Sequence, residues 1–290
     1  MDMNAYEQFC YCTTRIESVN TNASTISVGT GFFFTFTTKN GNHKVLLITN
    51  KHVIEGSNKL TIHFSAAKED GFPNINSHIN LVLSREFDQI IYKHPDLEID
   101  LCALDITNYI LNMINNGQRI FFRSFELKDI PTKEQILDID PIVEVEMVGY
   151  PSSLWDESHN MPLFRRCLTA SRIDIDWQNK KIFLLDGACV EGSSGSPIIL
   201  YESHYYSRIN NTTNLGQPRM FLLGIQFARH NRSVEGVLKM GNGLVVSNLK
   251  PIVDIPNNIG YAIKSDCIKD VICLVEKNEL EKGTFVSNIK

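Results

Sequence analysis

The sequence predicts an all-β protein in which two antiparallel β-barrels are followed by one C-terminal helix. Three observations predict this class: the apolar segments are short and β-branched, they fall into two series, and only one late segment keeps a long helical spacing. The 290 residues, 43% hydrophobic and 21% charged, have the composition of a globular chain with a sizeable core. This composition excludes disordered, collagen-like and coiled-coil proteins.

The first series of strands begins at residues 25–36, which predict one strand, or two that meet at the glycines. Residues 39–42, Lys-Asn-Gly-Asn, predict a hairpin turn, and the β-branched run at 44–49 predicts the returning strand. Further strands are predicted at 60–64, 90–92 and 100–106, followed by a helix at 107–115 and one or two helical turns at 131–137.

The second series leads to the final helix. Ser265 and Asp266 can cap this helix, where Ile268, Val271, Ile272 and Val275 keep helical spacing. We therefore predict an N-terminal barrel at 1–130, a C-terminal barrel at 131–266, and a helix with a tail at 267–290. The strands predicted for the second series are 142–148, 165–173, 181–185, 196–200, 220–226, 243–246 and 260–263.

Charge and cysteine usage narrow the class of protein further. Lys and Arg total 28 against 33 Asp and Glu, a net charge of −5, which argues against a nucleic-acid-binding protein. The acidic start lacks the features of a signal peptide, and no apolar run is long enough to span a membrane. The seven scattered cysteines predict reduced thiols, and Cys10-x-Cys12 has no second ligand pair for zinc. These features predict a cytoplasmic protein without a metal or other cofactor.

Three local features carry chemical groups. Residues 191–197, Glu-Gly-Ser-Ser-Gly-Ser-Pro, predict a tight turn that presents a serine hydroxyl and can direct backbone amides at one point. His52 ends the apolar run that begins at Leu46, and Asp100 begins another apolar run. Taken singly, these features are more often a plain hairpin, a packed histidine and a surface acid.

The order of the three features favours a catalytic interpretation. His52, Asp100 and Ser194 follow one another in the order found in the two-barrel proteases, one of the three orders in which a Ser-His-Asp triad occurs. An α/β-hydrolase is excluded because it needs its histidine last and a Gly-x-Ser-x-Gly turn within alternating strands and helices. The order therefore indicates nucleophilic acyl transfer by a serine.

Six motifs in order resemble those of the chymotrypsin-like (trypsin-like) serine peptidases. The sequence is most similar to bacterial intracellular trypsin-like peptidase domains and to the HtrA-type branch, over about residues 12 to 275. The resemblance implies two Greek-key barrels of the chymotrypsin type and a serine endopeptidase that acts on protein or peptide substrates. The matching motifs are Val-Gly-Thr-Gly-Phe-Phe at 28–33, Ile-Thr-Asn-Lys-His-Val at 48–53, Asp-Leu-Cys-Ala-Leu at 100–104, Val-Gly-Tyr-Pro at 148–151, the serine motif at 186–197 and Gly-Tyr-Ala-Ile at 260–263.

The resemblance also implies a role for each matching residue. Ser194 would be the nucleophile, His52 its general base, and Asp100 the group that orients His52. Asp96 and Glu98 are the alternatives for the third member. The amides of Gly192 and Ser194 would form the oxyanion hole.

The resemblance implies a specificity pocket whose walls are two short segments. An acidic pocket floor would fall near Ala188, so cleavage after Lys or Arg is not expected. Ser193 stands where secreted members have an aspartate, which makes activation by N-terminal cleavage unexpected, and Ser196 replaces a glycine in a way that we expect the turn to tolerate. The wall residues are Ala188, Cys189, Val190 and Glu191, then Phe227, Ala228 and Arg229.

Two other functions stay open at the level of sequence. The chain could be a catalytically silent protease fold that binds peptides, or an enzyme whose oxyanion loop forms only when an activating partner binds. Neither alternative involves nucleic acid or a membrane. The intact set of His52, Asp100 and Ser194 favours an active enzyme on extended or unfolded protein segments.

Overall fold

The computed structural model describes residues 3–84, 86–151, 154–236 and 250–287. These residues form a nine-stranded sheet, a closed six-stranded antiparallel barrel, a small two-stranded sheet and a long C-terminal helix. The predicted all-β class with a final helix is therefore confirmed. The strand predicted at 243–246 lies outside the described residues, and the predicted domain boundaries stay a prediction.

The N-terminal sheet follows the order β5-β4-β1-β2-β3-β7-β6, with β8 beside β4 and β9 beside β2. Leu81 and Leu83 from one end and Ile91 from the other pack into one apolar cluster, so the sheet curls around its own core. Among the described residues no hydrogen-bonded pair of strands closes this curl. Its strands are β1 (Thr13–Asn20), β2 (Thr25–Thr37), β3 (His43–Thr49), β4 (Lys59–Ala67), β5 (Pro73–Ser84), β6 (Ile91–Lys93), β7 (Cys102–Asp105), β8 (Ile120–Phe121) and β9 (Phe125–Glu126).

The C-terminal half closes into a barrel in the order β10-β11-β12-β17-β16-β13. The hairpin of β16 and β17 is much longer than its neighbours, and its far end is exposed to solvent. The strands of this half are β10 (Glu144–Gly149), β11 (Leu163–Thr169), β12 (Ile182–Asp186), β13 (Pro197–Glu202), β14 (Tyr205–Ser207), β15 (Thr212–Asn214), β16 (Arg219–Glu235) and β17 (Ile252–Lys264), of which β14 and β15 form the small separate sheet.

Five α-helices lie within the described ranges, besides short 3-10 turns. The predicted helix at 107–115 is confirmed as α3, and the final helix is confirmed as α5. No helix in the described ranges is both long and apolar enough to cross a membrane. The helices are α1 (Ala5–Phe9), α2 (Lys51–Ile54), α3 (Thr107–Asn115), α4 (Lys133–Asp138) and α5 (Cys267–Ser287).

A shared apolar core holds the two sheets and α5 together. Phe32 and Leu46 of the first sheet pack in one cluster with Leu222 of the barrel and with Val271 and Val275 of α5. Each of these side chains is fully buried, so separating the two halves would expose large apolar surfaces to water. The predicted final helix therefore seals the junction between the sheets.

All seven cysteines are free thiols in the structure, and five of them are buried. Burial raises the pKa of Cys189 to about 12 and that of Cys167 to about 11. These two thiols are therefore uncharged at neutral pH and behave as small apolar side chains. The predicted cytoplasmic location stays a prediction.

Candidate active site

His52 and Asp100 are brought together by the pairing of β3 with β7. Thr49, the last residue of β3, lies opposite Cys102, the first residue of β7. His52 comes three residues after Thr49, on the single turn of α2, and Asp100 comes two residues before Cys102. Because the strands are antiparallel, the end of β3 and the start of β7 lie at the same edge of the sheet. Two residues that are 48 apart in the chain therefore meet there.

The Asp100 carboxylate contacts His52 through both of its oxygens. One oxygen lies in very close contact with Nδ1 of the imidazole, and the other accepts a 3.2 Å hydrogen bond from the His52 backbone N–H. Burial raises the pKa of Asp100. The hydrogen bonds and the charge of His52 together lower it by more than burial raises it, so the pKa lies below its ordinary value of 3.8. An ionised carboxylate here fixes the proton of the imidazole on Nδ1 and leaves Nε2 as the free acceptor.

Asn50 holds the main chain of Asp100 in place through a side-chain hydrogen bond. Its side-chain Nδ2 donates a 2.7 Å hydrogen bond to the Asp100 carbonyl oxygen, and the residue is fully buried at the start of α2. Asp96, by contrast, accepts a 2.9 Å hydrogen bond from the Glu98 backbone N–H. Of the three acids considered from the sequence, Asp100 is the one in contact with His52.

Ser194 lies in a turn that two glycines in the left-handed region make possible. Gly192 has a φ of 83° and Gly195 a φ of 89°, a backbone conformation that residues with a Cβ atom rarely adopt. The Gly195 N–H donates a 2.8 Å hydrogen bond to the Gln226 carbonyl oxygen, and the Gln226 N–H donates one of 2.9 Å to Ser196. The turn is therefore fixed to β16 on one side.

Thr30 of β2 fixes the same turn from the other sheet. Its backbone N–H donates a 2.8 Å hydrogen bond to the Ser194 carbonyl oxygen, and its hydroxyl donates one of 2.8 Å to the Gly192 carbonyl oxygen. The hydroxyl also accepts a 3.1 Å bond from the Tyr150 backbone N–H. A Cβ on Gly195 would lie 1.9 Å from the Thr30 carbonyl oxygen, so the close approach itself requires glycine.

The backbone of the turn leaves two amides available. The Gly192 carbonyl is held by Thr30, and the Ser193 N–H donates a 3.1 Å bond to the Val190 carbonyl oxygen. Within the described ranges neither the Gly192 N–H nor the Ser194 N–H donates a hydrogen bond to the protein. Two free N–H groups beside a nucleophile can bind a developing oxygen anion.

His52, Gly192 and Ser194 line one cleft of about 500 Å³. The His52 side chain is 46% exposed, whereas Asp100 behind it is 25% exposed. The imidazole therefore faces the cleft and the carboxylate faces the protein. The other residues that line the cleft are Ile26, Ser27, Val28, Val53 and Glu191.

The predicted pocket residues of the segment 188–191 differ in their surroundings. The Cys189 side chain is buried, and its sulfur packs so closely on Gly260 that a Cβ there would lie 2.3 Å away. The Cys189 side chain is thus part of the barrel core, and the predicted role of residues 188–191 as a pocket wall stays a prediction. The Ala188 carbonyl oxygen accepts a 2.8 Å hydrogen bond from Arg165, and Val190 supports the turn through its own carbonyl.

The predicted residues of β16 form a continuous strip beside the turn. Phe227 packs against the shared core and against the ring of Tyr261, and the Ala228 carbonyl oxygen accepts a 3.1 Å bond from the Gln226 side chain. Arg229 lies 3.4 Å from the exposed carboxylate of Glu191, which joins the strip to the serine turn.

Several residues that support the site were not singled out from the sequence. Thr30 sits within Gly-Thr-Gly, a motif noticed only as part of the resemblance, and Asn50 and Arg165 had no signal of their own. Ser196 fits because it faces a residue without a side chain: a Cβ on Gly149 would lie 2.1 Å from the Ser196 hydroxyl oxygen. This contact explains why the turn tolerates Ser196, and it could not be read from either residue alone.

Comparisons with known proteins find solved structures that resemble this chain in fold, at low sequence identity. No protein-family model and no curated protein matches the sequence. The active form of the Rv3671c protease from M. tuberculosis aligns over 92% of this chain and 82% of its own, with 10% identity and a TM-score of 0.41. Its inactive form covers 91% and 89%, with 12% identity and a TM-score of 0.40. A mutant of the Tobacco Etch Virus protease covers 91% and 78%, with 9% identity and a TM-score of 0.44. At this level of similarity, function has to be inferred from the residues of this chain's own site.

Proposed function

We propose that this chain is a serine endopeptidase that hydrolyses peptide bonds through Ser194, His52 and Asp100. The observation that carries the proposal is the contact of Asp100 with the Nδ1 side of His52, in the same cleft that Ser194 and two free amides line. An acid that orients a histidine beside a serine in a glycine turn is the arrangement that serine acyl transfer requires.

The chemistry follows from these positions. His52 Nε2 takes the proton of the Ser194 hydroxyl while the oxygen attacks the substrate carbonyl carbon, and the N–H groups of Gly192 and Ser194 bind the oxygen that becomes negative. The carbon–nitrogen bond then breaks, and His52 gives its proton to the leaving amine. Water, deprotonated by the same histidine, hydrolyses the Ser194 ester and frees the acid. Throughout, Asp100 stabilises the positive imidazole without taking its proton.

The proposed substrates are extended or unfolded protein segments. The cleft is open, and the strip at Phe227–Arg229 offers backbone that an extended chain could pair with. Cleavage after Lys or Arg is not part of the proposal, because no carboxylate stands at Ala188 and the charged pair nearby, Arg229 with Glu191, is exposed.

The first test is intact mass spectrometry after treatment with a fluorophosphonate. We expect a single adduct on the wild type and none on Ser194→Ala. The matched control is Ser193→Ala, which removes the neighbouring buried hydroxyl and should keep the adduct. Absence of an adduct on the folded wild type would contradict the proposal.

A second test separates the two alternatives from an active enzyme. Hydrolysis of casein by the wild type alone, lost in Ser194→Ala, supports an active enzyme. Hydrolysis that begins only after a cell extract is added would identify a partner-activated enzyme. Binding of casein without hydrolysis under any condition would identify a silent peptide-binding protein and overturn the proposal.

A further inference from the structure

A cavity of about 780 Å³ lies apart from the active site, in the C-terminal half of the molecule. It shares no lining residue with the cleft of His52 and Ser194. Its walls are formed by α4, the loop between β11 and β12, the end of β17 and the start of α5. Its volume is within the range of roughly 300–1,000 Å³ that is typical of small-molecule sites. The proposed reaction leaves this cavity without a role.

The floor of the cavity is apolar. It is formed by buried lining side chains, which include Ile173 from the loop before β12, Phe183 of β12 and Leu223 of β16. Two further lining residues, Leu137 of α4 and Ile175 of the loop, remain 56% and 52% exposed to solvent. Because covering such apolar side chains removes them from water, an apolar ligand is favoured here. The cavity therefore suits a molecule with an apolar body.

Each of the four aspartates that line the cavity is in contact with a basic side chain, so a cationic ligand would have to displace one of these contacts. The Asp96 N–H donates a 3.1 Å hydrogen bond to Nδ1 of His94, which puts the imidazole proton on Nε2, where it faces Asp270. The four pairs are Asp174 with Arg172 at 2.6 Å, Asp176 with Lys264 at 2.6 Å, Asp266 with Lys181 at 3.8 Å, and Asp270 with His94 at 3.2 Å.

The lysines of the lining keep free hydrogen-bond donors. The Lys264 side chain is only 13% exposed, and among the described residues its ammonium group donates to one acceptor, the Asp176 carboxylate. An ammonium group can donate three hydrogen bonds. Lys133 and Lys269 also line the cavity and form no ion pair within the described ranges. The cavity thus combines an apolar floor with unused donors and positive charge.

We propose that this cavity binds a small carboxylate with an apolar body, which places its carboxylate on Lys264 and its apolar part over the floor. Charge complementarity selects the anion. Its oxygens accept the unused N–H groups of Lys264, and Lys133 and Lys269 attract the same charge. The inference does not rest on the proposed function, since neither Ser194 nor its cleft takes part.

Isothermal titration calorimetry of the full chain with hexanoate, octanoate and decanoate, below the concentrations at which they form micelles, tests the proposal. We expect one site per chain, with a Kd that falls about fourfold for each added CH₂ group that leaves water. Decylamine has the same apolar chain and the opposite charge, and it should bind about tenfold more weakly than decanoate or worse. A Kd that does not change with chain length, or equal binding of decylamine and decanoate, would overturn the inference.

Substitution of Lys264 ties the binding to this cavity. Lys264→Met removes the ammonium donors and keeps an aliphatic side chain, so the Kd for decanoate should rise about tenfold. Asp176 keeps its 3.3 Å contact with Lys181, and circular dichroism checks that the variant is folded. Lys277→Met is the matched control, because Lys277 is exposed on α5 and does not line the cavity. An equal Kd in the two variants would contradict the inference.

A second variant tests the apolar part and carries little risk for the fold. Ile175→Asp places a carboxylate on an exposed lining residue, which should raise the Kd for decanoate about tenfold through lost apolar contact and charge repulsion. Ile75→Asp is its control, since Ile75 of β5 is 48% exposed and lies outside the cavity. Binding of several decanoate molecules per chain that neither Lys264→Met nor Ile175→Asp weakens would show non-specific association, and the inference would be wrong.

Fluorophosphonate labelling separates this inference from the proposed function. Decanoate that binds as expected to a chain that takes no label would support the inference while the proposed function fails. A chain that is labelled at Ser194 and does not bind decanoate would overturn the inference and leave the proposed function standing.

Discussion

Thr30 and Ser194, which belong to opposite halves of the molecule, are joined by a 2.8 Å hydrogen bond from the Thr30 N–H to the Ser194 carbonyl oxygen. The Thr30 hydroxyl holds the Gly192 carbonyl of the same turn. The first sheet therefore contributes to the geometry of the serine turn as well as supplying His52 and Asp100.

Thr30→Val should disturb the serine turn while keeping the shape of the side chain. It leaves the Gly192 carbonyl and the Tyr150 N–H without their partner, which lowers the free energy of unfolding by about 2–4 kcal/mol. We expect fluorophosphonate labelling to slow by about tenfold or more. Thr13→Val is the control, because the Thr13 hydroxyl is buried without a partner in the described structure, and it should change labelling little. Equal labelling rates in the two variants would contradict this role of Thr30.

Asp100→Asn should preserve the fold and reduce turnover of casein by about four orders of magnitude. The amide can donate to Nδ1 of His52, which stabilises the tautomer that cannot accept the Ser194 proton. Circular dichroism checks the fold, and initial rates check turnover. A loss of less than about tenfold would show that Asp100 is not the orienting acid.

The same residue predicts how stability depends on pH. The pKa of Asp100 is lower in the folded chain than its ordinary value of 3.8, so its contribution to stability is present above that value and is lost as the pH falls through the folded pKa. The difference in free energy of unfolding between the wild type and Asp100→Asn should therefore shrink as the pH falls below 3.8. Urea titrations on either side of this pH measure the difference, and a difference that does not shrink there would refute the assignment.

Gly149→Ala should be destabilising and should be partly rescued by Ser196→Gly. The new Cβ would lie 2.1 Å from the Ser196 hydroxyl oxygen and 2.6 Å from the Thr30 hydroxyl oxygen, and overpacking of this kind costs about 1–3 kcal/mol. Removing the Ser196 side chain relieves the first contact and leaves the second. A double-mutant cycle in urea should give a coupling of about 0.5 kcal/mol or more. Strict additivity would mean that the two residues do not meet.

Ile26→Glu should impair protein substrates more than a small probe. Ile26 lines the cleft and is 73% exposed, so it can contact the segment after the scissile bond without supporting the core. We expect a several-fold fall in kcat/KM for casein, about the cost of losing one apolar contact, with unchanged fluorophosphonate labelling. Leu215→Glu, at 74% exposure and outside the cleft, is the control. A similar effect in both variants would place no substrate contact at Ile26.

Strands with a clear apolar pattern could be predicted from the sequence, and strands with a mixed pattern could not. Helix α3 has the predicted bounds 107–115, and β3 ends just before His52 as expected. Strand β1 escaped prediction because Thr14 and Ser18 are polar yet buried, and β5 because half of its twelve residues are polar and only two of the twelve are buried. Strand β16 extends nine residues beyond the predicted end at 226, since its last residues are stabilised by pairing with β17 and not by burial.

The sequence by itself determined the fold class, the order of the three candidate catalytic residues and the glycines of the serine turn, because these follow from local pattern and backbone freedom. The tertiary structure decided which acid meets His52, which amides stay free, and that Cys189 turns inward to the core. It also decided that Thr30 of one sheet holds the turn of the other half. The physical reason is that such contacts join residues far apart in the chain, and only the pairing of strands and the packing of the shared core set their distances.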